Sequence, residues 1–415
     1  MKRNVIVGQS GGPTAAINSS LAGVYRTAID RGANKVYGML HGVQGLLEEK
    51  YIDLSDHIKT ELDVELLKRT PAAFLGSCRY KLPGIHEDRE VYEKLFAILD
   101  KLDIEAFIYI GGNDSMDTIK KLSDYAILTG HTTRFIGCPK TIDNDLALTD
   151  HTPGYGSAAK YIGTSMKEII RDSFCLEYPK GLVTIVEIMG RNAGWLTGAA
   201  ALSKGEDCDG PDLIYLPEVT FDIQDFKQKV QDLLKERTSV VVAISEGIRT
   251  AEGQYVCELG NDINFVDAFG HKQLSGTASY LASFIAGELG CKTRSIELST
   301  LQRAGSHLAS RVDILEAYQV GGAAVKAADE GDTSQMVVLQ RISDDPYQCQ
   351  TAMKDVHKIA NDEKCVPRNW INEDGTYVTD EFITYVEPLI QGDVSPVMVD
   401  GIPRHLYTPK ELYRK

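Results

Sequence analysis

A short polar stretch, residues 138–145, carries side chains suited to group-transfer chemistry. It contains one ammonium, one hydroxyl and two carboxylates, on Lys140, Thr141, Asp143 and Asp145. A carboxylate beside a lysine can take a proton from a substrate hydroxyl while the cation holds the group being transferred. The same residue types also form solvated turns rich in aspartate and asparagine. Partner motifs elsewhere in the chain have to decide between these two interpretations.

The elements around this stretch predict a parallel sheet. An apolar run, residues 135–137, leads into it and is typical of the end of a buried strand. Similar runs over residues 5–7, 105–110 and 182–188 each stop at a turn that contains glycine, and helical patterns follow the first two. Alternating strands and helices are typical of doubly wound sheets, which carry functional groups at the carboxyl ends of their strands.

Two of these turns could bind phosphate. In the first, Gly12 would let backbone N–H groups approach an anion at a helix N-terminus, although a plain tight turn has the same composition. In the second, Asp114 stands between Asn113 and Ser115. A carboxylate there would repel a phosphate unless Mg²⁺ mediates the contact. Arg79 follows a further Gly-Ser turn and could meet a phosphate or simply lie in solvent.

Charge and composition argue against several classes of function. The 415 residues carry a net charge of −15, whereas binding a nucleic acid backbone needs a basic face. The chain is 43% hydrophobic and 25% charged, as in ordinary globular proteins, and no apolar run is long enough to span a bilayer. Its eight cysteines are scattered without a CxxC pair, which indicates free thiols in a reducing compartment. Together with a start that lacks a signal-peptide pattern, these features predict a cytoplasmic protein that binds neither nucleic acid nor membranes.

Six motifs resemble the 6-phosphofructokinase family in their order and spacing. They lie between residue 1 and about residue 330, and the resemblance is greatest to the pyrophosphate-dependent, bacterial-type branch. The most specific are Thr-Ile-Asp-Asn-Asp within residues 139–145 and Met-Gly-Arg within residues 186–191. The others lie at residues 10–12, 74–79, 111–115 and 301–306.

The resemblance implies an enzyme with a defined reaction. A phosphoryl group would pass reversibly from pyrophosphate to the 1-hydroxyl of fructose 6-phosphate, with Mg²⁺ as cofactor, in glycolysis and gluconeogenesis. Alternatives are ATP as the donor, sedoheptulose 7-phosphate as an additional acceptor, and a non-catalytic sugar-phosphate-binding subunit. An NAD-dependent dehydrogenase fits the fold class, but the first glycine turn lacks GxGxxG. The resemblance also implies a homodimer or a homotetramer.

The family pattern assigns roles to residues at matching positions. Asp143 would be the general base, and the other catalytic groups would be Lys140, Asp114 and Arg79. The donor phosphates would contact Gly12, Lys140, Asp114 and Ser115. The sugar phosphate would be bound by Thr141, Ile142, Asp143, Met189, Gly190, Arg191, Glu246, Arg294, Thr300 and Arg303. Mg²⁺ would be held by Asn113, Asp114 and Asp145.

Two positions indicate the donor. ATP-using relatives have glycine at both, where this chain has Asp114 and Lys140. An aspartate at position 114 would fill the space of an α-phosphate and repel it, while Lys140 would supply a cation to pyrophosphate. Other positions depart from the family pattern: Asn113 replaces a metal-binding aspartate, and Thr300 replaces a larger histidine or tyrosine of the sugar pocket. Arg294 is expected to reach across a subunit interface.

The predicted fold is α/β, with two doubly wound, Rossmann-like, three-layer domains, mainly parallel sheets and a C-terminal extension. The donor-phosphate-binding domain is expected to cover residues 1–145 together with part of residues 300–345. The sugar-phosphate-binding domain is expected to cover residues 146–300. Residues 346–415 are predicted to form the extension, and short helices are expected over most of residues 331–415.

Overall fold

Two mainly parallel β-sheets form the framework of the protein, seen in a computed structural model that describes residues 1–260, 274–359 and 363–413. The strands of the described residues are β1 (Asn4–Gln9), β2 (Val36–Met39), β3 (Tyr51–Asp53), β4 (Ile104–Gly111), β5 (Arg134–Pro139), β6 (Leu182–Ile188), β7 (Leu213–Tyr215), β8 (Ser239–Ser245), β9 (Lys292–Glu297), β10 (Gln335–Asp344), β11 (Tyr347–Asp355), β12 (Met398–Val399) and β13 (Ile402–Pro403). The α-helices are α1 (Ile17–Asp30), α2 (Gly42–Leu47), α3 (Glu61–Arg69), α4 (Arg89–Lys101), α5 (Asn113–Thr129), α6 (Tyr155–Phe174), α7 (Trp195–Gly198), α8 (Ile223–Glu236), α9 (Thr277–Leu289), α10 (Leu301–Ala304), α11 (Arg311–Glu330) and α12 (Asp380–Val386).

The strand orders put the functional loops at two facing groups of strand ends. Within the described chain, the first sheet has the order β11-β10-β5-β4-β1-β2-β3, and the second has the order β7-β8-β6-β9. Strands β1, β2, β4, β5 and β10 run parallel to one another, whereas β3 and β11 are antiparallel edge strands. All pairs in the second sheet are parallel. The predicted fold class, mixed α/β with mainly parallel sheets, is confirmed.

Each sheet buries a separate apolar cluster on each of its faces. In β1, Val5 and Val7 pack with residues of α1 and α11, whereas Ile6 packs with residues of α4 and α5. In β6, Ile185 and Val186 likewise belong to opposite clusters. Because side chains alternate between the two faces of a strand, strands that are apolar throughout require helices on both sides. Each sheet is therefore the middle one of three layers, with helices on both of its faces.

The prediction of short helices over most of residues 331–415 is wrong for residues 335–355. These residues form the hairpin β10–β11, and β10 pairs in parallel with β5 through Gln335 and Met336. The run from Met336 to Leu339 is buried, which favours an inner strand over a surface helix. The first sheet therefore continues to Asp355. The prediction assigned residues only up to 345 to the domain that contains this sheet. The division into domains stays a proposal.

None of the helices in the described residues combines the length and the apolar character that a membrane crossing requires.

Helices α1 and α11 approach each other closely because glycines lie at their contact. A Cβ atom on Gly23 would lie 2.0 Å from the carbonyl oxygen of Tyr318, and one on Gly321 would lie 2.0 Å from that of Ser20. No real side chain tolerates such distances from backbone atoms. Because α1 follows the first glycine turn, this contact also fixes the position of that turn.

We expect Gly23→Ala to destabilise the protein and Gly287→Ala to leave it unchanged or more stable. The first substitution forces α1 away from α11, and such overpacking costs about 1–3 kcal/mol or more. Gly287 lies on α9, and no atom of the described residues comes within 4 Å of its Cβ position, so alanine there gains helix propensity of roughly 0.5–1 kcal/mol. Chemical denaturation of both variants measures the difference. Equal stabilities would mean that α1 and α11 are not in close contact.

Candidate active site

Two adjoining pockets open at the carboxyl ends of β1, β4, β5 and β6, and they share one wall. The glycine pocket is lined by Ser10, Gly11, Gly112, Asn113, Asp114 and Ser115 in addition to the shared wall. The arginine pocket is lined by Pro13, Thr14, Ile142, Met189, Arg191, Asn192, Ala193, Glu246 and Arg303 in addition to the shared wall. The shared wall consists of Gly12, Arg79, Lys140, Thr141, Asp143, Asp145 and Glu363. A group on this wall can act on ligands in both pockets.

The loop after β5 provides most of the shared wall, and neighbouring backbone holds it. The Lys140 N–H donates to the carbonyl oxygen of Gly111 at 2.9 Å, which joins the loop to the end of β4. The Thr141 N–H donates to the Pro153 carbonyl at 3.3 Å, and the Thr152 hydroxyl donates to the Thr141 carbonyl at 2.8 Å. The parallel pairing of β4 and β5 brings these strand ends together.

Lys140 is a buried cation between the two pockets. Only 2% of the surface of Lys140 is exposed to solvent. Its Nζ donates a hydrogen bond to the carbonyl oxygen of Gly12 at 2.8 Å. Burial lowers the pKa of Lys140 to about 8, and the carboxylates of Asp143 and Asp145 oppose that shift. The lysine therefore keeps its proton at neutral pH and can meet an anionic ligand with a poorly hydrated charge.

Asp143 has the environment of a general base. The Thr141 hydroxyl donates to the Asp143 carboxylate at 3.3 Å, and the Asp143 N–H donates to the same hydroxyl oxygen at 3.1 Å. Burial raises the pKa of Asp143, and the Lys140 ammonium is the main opposing influence. Burial, with Asp143 and Glu363 nearby, also raises the pKa of Asp145 to about 7. A carboxylate with a raised pKa is a stronger base than one in water, as proton abstraction from a hydroxyl requires.

The loop after β6 forms the floor of the arginine pocket. Gly190 has φ 143°, and a Cβ atom there would lie 2.7 Å from the Ala193 carbonyl oxygen, so glycine is required. The Met189 N–H donates to Oε1 of Gln302 at 3.1 Å, which ties this loop to α10. The Gly190 N–H donates to Glu246 at 3.4 Å. The floor of the pocket therefore brings together groups from the loops after β6 and β8 and from α10.

Arg303 and Glu246 give the arginine pocket its electrostatic character. The buried Nε of Arg303 has no hydrogen-bond partner among the described residues. Burial and the charge of Arg79 lower the pKa of Arg303, and the carboxylates of Asp143 and Glu246 oppose that shift. Burial, with Asp143 and Glu187 nearby, raises the pKa of Glu246 to about 7. Such a pocket suits a ligand that has an anionic group and hydroxyls.

The glycine pocket combines the start of α5 with the first glycine turn. Gly11 has φ 77°, and Asn113 and Asp114 begin α5. The side-chain oxygen of Asn113 is buried without a hydrogen-bond partner among the described residues, while Asp114 is exposed and Ser115 is buried. Oxygen donors next to a helix N-terminus suit an anion, a hard cation or both.

Most of the predicted site residues lie together in these two pockets. Gly190 stands beside the lining residues Met189 and Arg191. Arg294 and Thr300 line neither pocket of the described chain. Arg294 donates to Asp172 at 2.8 Å, and its predicted role across a subunit interface stays a prediction.

Glu363 is a member of the shared wall that the sequence analysis did not single out. Its carboxylate accepts hydrogen bonds from Nδ2 of Asn192 at 3.0 and 3.2 Å, and Glu363 bridges in the antiparallel sense to Leu146. It lies in the predicted extension, beyond the motifs, where single acids among turn residues carry no signal. Its approach to Asp145 depends on tertiary contacts alone.

Comparison with known proteins agrees with the site. The Phosphofructokinase family matches residues 4–328. A pyrophosphate--fructose 6-phosphate 1-phosphotransferase of Halomonas elongata is 40% identical, covering 97% of this chain and 95% of the relative. One of the same name from Xanthomonas campestris pv. campestris is 41% identical over the same shares of each chain. The crystal structure of a pyrophosphate-dependent phosphofructokinase from Nitrosospira multiformis is similar with a TM-score of 0.87 at 36% identity, covering 97% of this chain and 95% of that one. The chain therefore belongs to the phosphofructokinase family.

Proposed function

We propose that this chain transfers a phosphoryl group reversibly from pyrophosphate to the 1-hydroxyl of fructose 6-phosphate, giving fructose 1,6-bisphosphate and phosphate. One observation carries the proposal: Asp143 and Lys140 lie in the wall between the two pockets. Residues placed there contact two bound substrates at the point where these meet, as transfer between them requires. The relatives from Halomonas elongata and Xanthomonas campestris bear the name of this reaction.

In this proposal, the arginine pocket binds fructose 6-phosphate. Arg303 and Arg191 offer guanidinium donors, which suit a dianionic phosphate because they bind it in a forked geometry. Glu246 accepts hydrogen bonds from sugar hydroxyls. The remaining contacts come from Thr141, Ile142, Met189, Gly190 and Thr300, and Arg294 contributes from a neighbouring chain.

The glycine pocket binds the donor. Lys140 and the backbone at Gly12 meet the phosphate oxygens, and Ser115 adds a hydroxyl at the start of α5. In the transfer, Asp143 takes the proton of the 1-hydroxyl while that oxygen forms a bond to phosphorus. The bond from that phosphorus to the bridging oxygen breaks, and phosphate leaves. Lys140 and Arg79 stabilise the charge on the transferring group.

The glycine pocket fits a magnesium ion. Its oxygen donors include Asn113, Asp114 and Asp145, and the buried, unpartnered side-chain oxygen of Asn113 is available to a cation. Carboxylate and amide oxygens are the protein ligands that Mg²⁺ prefers. When bound, Mg²⁺ neutralises charge on the phosphates of the donor. Glu363 adds a carboxylate to the same pocket.

Two side chains favour pyrophosphate over ATP. Asp114 projects a negative charge into the glycine pocket, where the α-phosphate of ATP would lie, whereas family members that use ATP have glycine there. The Lys140 ammonium stands 3.3 Å from the Cβ position of Gly11, so it fills the space between the two glycine turns. A short donor that ends at Lys140 fits this pocket better than a nucleotide.

The proposal also covers location, assembly and domains. It places the enzyme in the cytoplasm as a homodimer or a homotetramer. The donor is bound by residues 1–145 together with part of residues 300–345, and the sugar phosphate is bound by residues 146–300.

Replacing Asp143 should remove most of the turnover. We expect Asp143→Ser to lower kcat by ~10²–10⁴-fold, the usual contribution of a positioned general base, with little change in KM for the sugar. Asp232→Ser, on the exposed surface of α8, is the control and should behave like the unmodified protein. A loss smaller than about tenfold in Asp143→Ser would show that another group takes the proton.

Replacing Arg303 should weaken sugar-phosphate binding more than it slows turnover. Loss of a charge-assisted hydrogen bond costs about 1.5–3 kcal/mol, so Arg303→Ala should raise KM for fructose 6-phosphate by roughly one to two orders of magnitude. An unchanged KM would mean that the 6-phosphate binds elsewhere. Arg294→Ala should also raise this KM if a neighbouring chain supplies Arg294.

Donor choice tests the proposed function directly. A coupled assay should detect turnover with pyrophosphate and little or none with ATP. Asp114→Gly should gain measurable ATP use because it removes both a steric clash and a repelling charge. Lys140→Gly should mainly lose pyrophosphate activity, since it removes a transition-state contact without making room for a nucleotide.

The measurement is kcat/KM with pyrophosphate and with ATP for the unmodified protein, for Asp114→Gly, for Lys140→Gly and for the double variant. Because positions 114 and 140 face the same phosphates, the double variant should favour ATP more than the product of the single effects. Efficient ATP turnover by the unmodified protein would contradict the assignment of the donor. Absence of turnover with any donor would contradict phosphoryl transfer itself.

A further inference from the structure

The hydroxyl of Tyr385 joins the C-terminal part of the chain to the centre of the catalytic loop. Nδ2 of Asn144 donates to the Tyr385 oxygen at 2.9 Å, and the Tyr385 hydroxyl donates to the carbonyl oxygen of Asp150 at 2.6 Å. Tyr385 lies on α12, 241 positions along the chain from Asn144. The proposed chemistry uses neither Asn144 nor Tyr385.

Asn144 is held in an unusual conformation between two carboxylates. It is fully buried and has φ 55°, in the left-handed region that, after glycine, asparagine adopts more readily than most residues do. Its side-chain oxygen accepts a hydrogen bond from the Thr152 N–H at 3.0 Å, so both ends of the amide are engaged. Asp143 and Asp145 flank it in the chain, and both line the two pockets. A shift of Asn144 would therefore displace both carboxylates.

Tyr385 itself has little freedom to move. Its ring packs against Trp195 and Trp370 at centroid distances of 5.2 and 5.3 Å, and the Arg341 guanidinium lies 4.7 Å from its centroid. The acceptor is also fixed, because Arg341 donates to the Asp150 carboxylate at 3.1 Å.

Two further charged groups hold Asp150 in place. His151 contacts the Asp150 carboxylate at 2.7 Å through Nδ1. Nζ of Lys364 donates to the Asp150 carbonyl at 2.6 Å. The Tyr385 hydroxyl thus connects a rigid anchor to the residue of the catalytic loop that has the left-handed conformation.

We infer that Tyr385 is a positioning residue for the general base: its hydroxyl holds Asn144 in the left-handed conformation that sets Asp143 against the substrate hydroxyl. The inference rests on the proposed phosphoryl transfer, and it gives the C-terminal part of the chain a role in positioning the group that takes the proton. Placement of catalytic groups within fractions of an ångström strongly affects rate, while ground-state binding depends on other contacts. Loss of the hydroxyl should therefore lower kcat more than it raises either KM.

Tyr385→Phe removes this hydroxyl and keeps the ring, and Tyr377→Phe is its matched control. Tyr377 also lies in the C-terminal part, and its buried hydroxyl has no hydrogen-bond partner among the described residues. We expect kcat of Tyr385→Phe to fall by about tenfold or more while both KM values change by less than about threefold. Tyr377→Phe should keep kcat within about twofold of the unmodified protein.

Asn144→Gly tests the same contact from the other side, because glycine adopts the left-handed conformation without the amide. It should lower kcat at least as much as Tyr385→Phe does, because it also removes the acceptor of the Thr152 N–H. Adding Tyr385→Phe should cause no further loss, because the tyrosine hydroxyl acts on the catalytic loop through Asn144. Thermal melting of each variant shows whether it folds. If Tyr385→Phe does not fold, Asn144→Gly is used to test the inference instead.

Three results would overturn the inference. One is a folded Tyr385→Phe with unchanged kcat, and another is an equal loss in Tyr377→Phe. The third is a double variant whose loss equals the product of the single losses. An unmodified protein without turnover on pyrophosphate and fructose 6-phosphate would instead overturn the proposed function, so the two failures are distinguishable.

Discussion

The arrangement of the site depends on a cation that cannot be buried alone. Lys140 is 2% exposed, and removing an ammonium group from water costs several kcal/mol unless nearby negative groups offset the loss. Asp143 and Asp145 supply that compensation, and the Gly12 carbonyl accepts a hydrogen bond from Nζ. The two carboxylates are themselves only partly exposed, so each of these charges is stabilised by the presence of the others. The loop after β5 must therefore order these groups together or not at all.

This constraint explains why glycine turns and loops from several strands meet at one place. The Cβ position of Gly11 lies only 3.3 Å from the Lys140 ammonium and the residue has φ 77°, so a side chain there would strain the backbone and displace the cation. The Lys140 N–H in turn is tied to Gly111 at the end of β4. Parallel pairing of β1, β4 and β5 brings the loops that follow these strands to the same edge of the sheet. Close packing of α1 on α11 fixes the position of the loop after β1.

Patterns that repeat along the chain made much of this predictable from the sequence. Strands that are apolar throughout, followed by glycine turns, indicated parallel sheets with functional groups at their carboxyl ends, and Lys140 and Asp143 lie there. The hairpin β10–β11 was missed because acidic and turn residues obscure the buried run from Met336 to Leu339. Glu363 and Tyr385 could not be identified, since a lone acid or hydroxyl acquires meaning only through contacts with residues far away in the chain.

The charges of the glycine pocket limit what it can bind. Among the described residues, its lining carries the carboxylates of Asp114, Asp143, Asp145 and Glu363 and the cations of Arg79 and Lys140. A phosphate donor is an anion, and a pocket with an excess of acids repels it unless positive charge accompanies it. The raised pKa values of Asp143 and Asp145 reduce this excess only in part.

The same balance gives a physical reason for the neutral side chain of Asn113. An aspartate at position 113 would add a further negative charge to a pocket in which Glu363, which lies outside the motifs, already supplies a carboxylate. Asparagine keeps an oxygen donor, and that oxygen is buried without a partner among the described residues. A site with spare oxygen donors and surplus negative charge is complementary to an anion that arrives with a divalent cation, and it is poorly matched to the anion alone.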